Sequence, residues 1–218
     1  MTERQVKVYP RFERFWHWTQ MLLIFGLFFT GLRIMGLHAF IPFGAAVMLH
    51  TLAALTLIVL WLFAIFWHLT TGTWRHYVPT SQGLFAVARF YAFGIFKGEH
   101  HPYRKAYWRK HNPLQALTYL ALKLVLFPAI WITGLAYLSY NFWETQPGAS
   151  FGLEVVANLH ILIAFTIAAF VVIHVYLLTA GHSFREHLRP MITGFDTVDL
   201  SPEEEAYLAR DEPGRLKR

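Results

Sequence analysis

Residues 155–180, VVANLHILIAFTIAAFVVIHVYLLTA, contain no Asp, Glu, Lys or Arg. A helix needs about 20 apolar residues to cross a bilayer, and this stretch exceeds that. It holds two histidines, His160 and His174, 14 residues apart. At about 100° per residue their angular offset is about 40°, so both lie on one helix face, about 21 Å apart along the axis. Ionisable side chains inside a membrane are rare and functional by default. Two on one face at this spacing suit two stacked metal centres.

The same absence of charge extends through the rest of the chain. Residues 15–32 and 34–74 carry no charged side chain, and residues 111–143 carry only Lys123. Of 218 residues, 56% are hydrophobic and 15% charged, against about a quarter charged in soluble domains. These features exclude a soluble globular enzyme and a disordered chain. The expected fold is an all-α membrane protein, a four-transmembrane-helix bundle with spans at 15–37, 43–69, 114–138 and 155–180. Pro42 and Gly44 mark the first turn, and Gly72 and Pro79 follow the second span. Asn112-Pro113 opens the third span, because Pro suits the first helical turn. Pro147-Gly148 and Gly152 lie before the fourth span, and Gly181 is placed to end it. Pro128 is expected to kink the third span. Residues 1–195 form the membrane domain and 196–218 a cytoplasmic tail. Residues 83–96 are apolar but too short to span, which predicts a helix lying in the inner interface. Ser201-Pro202-Glu203-Glu204 reads as an N-cap, a first-turn Pro and a capping-box Glu, the start of a short soluble helix.

The basic residues fall on one side of such a bundle. The N-terminal segment has Arg4, Lys7, Arg11 and Arg14. The 70–113 loop has Arg75, Arg89, Lys97, Arg104, Lys105, Arg109 and Lys110. The C-terminal segment has Arg185, Arg189, Arg210, Arg215, Lys217 and Arg218. The 38–42 turn and the 139–154 loop have none, and only Arg33 lies near that face. The positive-inside rule therefore places both termini in the cytoplasm. The net charge of +6 then reflects topology and not nucleic-acid binding. The first apolar run reads on as a full span without a cleavage site, so no signal peptide is expected.

Cysteine is absent and histidine occurs 12 times. Disulfides, thiolate zinc sites, cysteine-bound iron–sulfur clusters and covalent c-type haem are excluded, which leaves metal or haem held by imidazole. His50, about seven residues into the second span from outside, matches the depth of His160 in the fourth. For His174 two partners stand at the inner level, His17 in the first span and His68 at the end of the second. Counting from the outer turn slightly favours His17 without deciding the matter.

The opening Arg14-Phe15-Trp16-His17-Trp18, then His50, then Asn112-Pro113-Leu114-Gln115, then His160 and His174 together resemble the di-haem cytochrome b subunits of respiratory oxidoreductases. These are the gamma subunit of membrane formate dehydrogenase, the cytochrome b of nickel–iron hydrogenase and the cytochrome b of thiosulfate reductase. Gly181-His182 and Met191-Ile192-Thr193-Gly194 look most like the thiosulfate-reductase branch. The resemblance covers nearly the whole chain. It implies two haems b, with axial ligands His17 and His174 on the inner iron and His50 and His160 on the outer one. It implies a quinone site, for menaquinone or ubiquinone, at Asn112, Leu114, Gln115 and His174, with Leu114 standing where the family has Gly. A haem propionate is the expected partner of Lys123, because an intramembrane ammonium is costly without one.

The function so implied is electron transfer in a respiratory chain. The chain would anchor an oxidoreductase in the bacterial inner membrane and pass electrons between an external partner and quinone. It carries no iron–sulfur or molybdopterin motif, so substrate chemistry belongs to a partner: iron–sulfur, molybdenum or nickel–iron subunits, or a periplasmic multihaem cytochrome c. Two other readings stand beside it, a stand-alone b561-type transmembrane reductase and a transporter or channel with a histidine proton relay.

Overall fold

The computed structural model describes residues 2–103, 107, 110–179 and 184–217. Strand β1 (Thr2–Lys7) precedes helix α1 (Arg11–Ile34), and α2 covers Phe43–Thr71. Helix α3 (Leu84–Arg89) runs on through a π turn at Phe90–Gly94 and a 3-10 turn at Ile95–Lys97. The third long helix is made of α4 (Pro113–Ala121), a π turn at Leu122–Leu126 and α5 (Phe127–Leu138). Helix α6 (Ala149–Leu177), α7 (Phe184–Thr193), strand β2 (Phe195–Leu200) and α8 (Pro202–Asp211) complete the chain. Four of these helical segments, Arg11–Ile34, Phe43–Thr71, Pro113–Leu138 and Ala149–Leu177, are long and apolar enough to cross a membrane. Their outward-facing residues are Leu, Phe, Ile and Val, among them Leu22, Leu62, Phe66, Leu162 and Val172. A helix that turns such side chains outward finds its solvent in lipid tails.

Local features add to or differ from expectation, the two strands among them. Helix α6 starts at Ala149, six residues before the expected 155, because Gln146 and Gly148 carbonyls accept the N–H groups of Ala149 and Gly152 and wind the first turn. At Pro128 the third helix widens into the π turn at Leu122–Leu126. Proline has no N–H, and its ring crowds the carbonyl four residues back; a wider turn just before it relieves both effects. The expected helix end at Gly181 and the Gly181-His182 motif lie outside the described residues, as do Arg104, Lys105, Arg109 and Arg218.

The chain divides into two compact units, residues 1–18, 64–120 and 175–218 in the first, and 19–63 and 121–174 in the second. In the first unit β1 pairs antiparallel with β2, Thr2 opposite Leu200 and Lys7 opposite Phe195. The pairing joins the N-terminal segment to the C-terminal one. Val6, Val8, Val198, Leu200 and Leu208 form its apolar core. The expected capping box is present: the Ser201 hydroxyl accepts from the Glu204 N–H, and the Glu204 carboxylate accepts from the Ser201 N–H at 2.9 Å. The same carboxylate accepts from the Tyr107 N–H at 3.0 Å and ties the loop before α4 to α8. Gly194, between α7 and β2, has φ +89°, and a Cβ there would lie 2.7 Å from the Tyr9 carbonyl, so only glycine fits this turn. In the second unit the Arg33 guanidinium donates to the Ile41 carbonyl at 2.7 Å and closes the α1–α2 turn.

Candidate haem site

The site in the second unit is built from four helices. Helix α2 brings His50 and α6 brings His160, with ring centres 6.4 Å apart and planes inclined at 63°. Helix α1 brings Thr30, whose hydroxyl lies 2.9 Å from Nδ1 of His50. Helix α5 brings Thr133, whose hydroxyl lies 3.0 Å from Nδ1 of His160. Both threonines are buried, at 4% and 8% exposure. Each also donates its single hydroxyl proton to its own helix, Thr30 to the Gly26 carbonyl at 2.8 Å and Thr133 to the Ala129 carbonyl at 2.8 Å. The hydroxyl oxygen is therefore the acceptor and Nδ1–H the donor at both histidines, which leaves Nε2 with its lone pair. The residue after each threonine is a glycine. A Cβ at Gly31 would lie 3.4 Å from Cε1 of His50, and one at Gly134 would lie 3.2 Å from Cε1 of His160. Each Thr-Gly pair thus makes a polar stop and a close-fitting floor for one imidazole.

This arrangement suits a metal with two axial nitrogens. A coordinated imidazole nitrogen lies about 2 Å from its metal, so two such rings on opposite sides have centres about 6 Å apart. The observed separation matches. Among the described residues no three His, Cys, Asp or Glu gather to hold an ion. The other coordination positions would come from the bound group, and a porphyrin brings four.

The remaining expected residues fall as follows. His17 lies in the first unit on α1, edge-on to Trp18 with ring centres 5.3 Å apart. His174 lies in the second unit on α6, stacked on Phe170 at 5.8 Å. Helix α6 carries both His160 and His174 without interruption. His68 is buried and engaged: Nδ1 donates to the Ala64 carbonyl at 2.5 Å, and Nε2 faces the Tyr77 hydroxyl at 3.4 Å. Lys123 sits half-buried in the π turn.

Asn112 and Gln115 form a reciprocal cap on α4. The Asn112 Oδ1 accepts from the Gln115 N–H at 2.8 Å, and the Gln115 Oε1 accepts from the Asn112 N–H at 3.1 Å. Asn112 also donates through Nδ2 to the Tyr91 hydroxyl at 3.2 Å. Burial pushes the Tyr91 phenol up, so it stays protonated. Pro113 occupies the first helical position, where no N–H is needed. Asn112 thus caps α4. Among the described residues, the Leu114 N–H and the Gln115 Nε2 amide have no partner.

The sequence reading missed Thr30-Gly31 and Thr133-Gly134. The available signal was a Thr-Gly pair near the C-terminal end of the first and of the third apolar span.

Four apolar helices holding a half-buried histidine pair, each imidazole oriented by a threonine on the neighbouring helix, define a membrane cytochrome of the b type. The chain belongs to the prokaryotic cytochrome b561 family, which it matches over residues 8–194. It is 30% identical over 201 residues to the Escherichia coli (strain K12) protein named "Putative cytochrome YdhU", an alignment that covers 88% of this chain and 74% of that one. No solved structure matches it. The protein is thus a multi-pass bacterial membrane cytochrome that binds haem b, and its class of function is electron transfer.

Proposed function

We propose that the chain is the membrane-anchoring subunit of a respiratory oxidoreductase, passing electrons between an external redox partner and quinone through two bis-histidine haems b. The observation that carries this reading is the His50–His160 pair, 6.4 Å apart with both Nδ1 atoms anchored on threonine. His50 and His160 are the ligands of the outer haem, and His17 and His174 those of the inner one. The preference for His17 over His68 is supported by the bonds that occupy both His68 nitrogens. Haem supplies one-electron transfer at an iron that keeps its ligands in both oxidation states. The protein's part is to fix tautomer, ring orientation and burial.

Lys123 is assigned to a haem propionate. The cytoplasm is assigned to the first unit, which holds both termini joined by β1 and β2 and the described basic residues of the 70–113 loop. The quinone site is assigned to the start of α4. There the Leu114 N–H and the Gln115 Nε2 are the donors for a quinone oxygen, and Asn112 and His174 complete the site. The Asn112–Gln115 cap holds the Gln115 amide in one orientation. The external partner is an iron–sulfur, molybdenum or nickel–iron subunit or a periplasmic multihaem cytochrome c, since this chain brings no substrate site of its own.

A pyridine haemochrome assay with a haem-to-protein ratio tests the reading. Two non-covalent haems per chain, both removed by acid–acetone, are expected; one haem, or haem that stays attached, overturns it. The family description also favours a second reading, a stand-alone b561-type reductase. Purification from native membranes separates the two, because a subunit brings its partner with it.

A further inference from the structure

A buried ion pair in the first unit takes no part in haem ligation. Lys110 Nζ lies 3.0 Å from a carboxylate oxygen of Glu13 and 3.1 Å from the other. The two side chains are only 6% and 8% exposed. The residues are 97 positions apart in sequence. Taking two opposite charges out of water costs about as much as their attraction returns, so a buried pair is weak evidence of a stabilising role. Lys110 stands two residues before Asn112, in the segment that leads into the α4 cap.

The surroundings of the pair are protic. Lys110 Nζ lies 5.5 Å above the centre of the Tyr9 ring. Tyr77, whose hydroxyl faces His68, packs against His111 at 4.9 Å and against Tyr119 at 6.5 Å. His111 packs on Tyr119 at 4.9 Å. Tyr119 lies one turn beyond Gln115 on the same face of α4. The groups that act electrostatically on the pair and on Tyr9 are Tyr77, Tyr119, Arg215 and Asp196. Burial pushes the Tyr9 and Tyr77 phenols up, so they remain neutral donors. Burial draws the Lys110 ammonium down against the opposing pull of Glu13, so its proton is held less tightly than that of a surface lysine.

We propose that Glu13 and Lys110 form a proton-exchange site that serves quinone chemistry at the α4 cap, with Tyr9, Tyr77 and His111 as its protic surroundings. The proposal rests on the quinone assignment above. Reduction of a quinone takes two electrons, which come from the redox partner, and two protons. For one of the two, a Lys110 N–H bond breaks and an O–H bond forms on a quinone oxygen; the other oxygen takes its proton from water. A proton from water then remakes the N–H bond by way of the Glu13 carboxylate. Quinol oxidation runs the same exchange backwards. A pair with one proton to give and one site to take it up serves either direction without leaving a lone buried charge for long.

The test uses the full-length, haem-loaded protein and a water-soluble quinol, with haem reduction followed by stopped-flow absorbance. Glu13→Gln is expected to slow quinol-driven haem reduction about tenfold or more. It should also flatten the rate's dependence on pH and leave the dithionite-reduced spectrum and the haem-to-protein ratio unchanged. The double variant Glu13→Gln/Lys110→Gln keeps a hydrogen-bonded pair of similar bulk and holds no exchangeable charge, and it should be as slow. A double variant that reduces at the wild-type rate assigns the pair to structure alone and overturns the proposal. Gln115→Glu separates the two layers of the argument. If it leaves the rate at wild type, the quinone assignment fails; if it is slow while Glu13→Gln is not, only the proton site fails.

Discussion

The Thr30 hydroxyl accepts a hydrogen bond from Nδ1 of His50 across 2.9 Å, and it can do so because its own proton is already given to the Gly26 carbonyl. The residue that orients the imidazole is itself oriented by its helix. Thr133 and His160 repeat the relationship on the other pair of helices. Partners of this kind raise the basicity of the ligand and commonly account for about 10–100-fold in metal affinity.

Thr30→Val keeps the shape of the side chain and removes the acceptor. The buried Nδ1–H is then unsatisfied, and the ring is free to turn. Affinity for the outer haem should fall about 10–100-fold. A less basic ligand favours the ferrous state, so the outer midpoint potential should rise while the inner one holds. Redox titration of the variant checks both. Thr166→Val, which removes only a bond to the Leu162 carbonyl on an exposed part of α6, should change neither.

The two glycines differ in how much room they leave. Alanine in place of glycine ordinarily favours a helix by about 0.5–1 kcal/mol. Gly26→Ala should show that gain, since nothing lies within 4 Å of its Cβ. At Gly134 a methyl would stand 3.2 Å from Cε1 of His160, tighter than ordinary contact. Gly134→Ala should therefore displace the imidazole and lower outer-haem content, with Gly31→Ala, at 3.4 Å, milder. Haem-to-protein ratios across the three variants should rank Gly26→Ala, Gly31→Ala, Gly134→Ala from highest to lowest.

The ligand assignment is tested histidine by histidine. His160→Ala and His50→Ala should each remove the outer haem and spare the inner. His17→Ala and His174→Ala should do the reverse. His68→Ala should keep both haems and lose stability instead, because it empties the space of a buried imidazole and removes its bond to the Ala64 carbonyl. Loss of the inner haem in His68→Ala, with His17→Ala intact, would reverse the choice.

The cap on α4 makes Gln115→Leu ambiguous for the quinone site, since it removes both the acceptor for the Asn112 N–H and the free amide. Gln115→Glu keeps the acceptor and places a negative charge at a helix N-terminus, where it is favourable. It removes only the Nε2 donors. Quinol-driven haem reduction should slow about tenfold, the loss of roughly one hydrogen bond to the quinone. Thermal unfolding should stay at the wild-type temperature, and the haem spectrum should not move.

Much of the architecture was legible because a bilayer sets a simple requirement. Residues 34–74 carry no charge, and neither do residues 155–180; only lipid-facing helices use so many apolar residues in succession. His160 and His174 were legible for the same reason, since an imidazole in such a run stands out. The Ser201 cap was legible because capping boxes are local, their partners three residues apart. The strand pairing of Thr2–Lys7 with Phe195–Leu200 was not, because its partners are nearly 200 residues apart and neither segment shows a strand's alternation strongly enough to announce itself.

The sequence by itself determined four apolar spans, a one-sided distribution of basic residues, the absence of thiol ligands, and histidines at matching depths. All of these depend on composition and on the fixed rise of a helix. Tertiary structure decided which side chain meets which. It made Thr30 and Thr133 the orienting groups of His50 and His160, engaged His68 with Tyr77, turned Asn112 and Gln115 toward each other, and buried Glu13 against Lys110. Helix periodicity gives a residue's face and depth, but a hydrogen bond about 3 Å long depends on how two helices are rotated and packed.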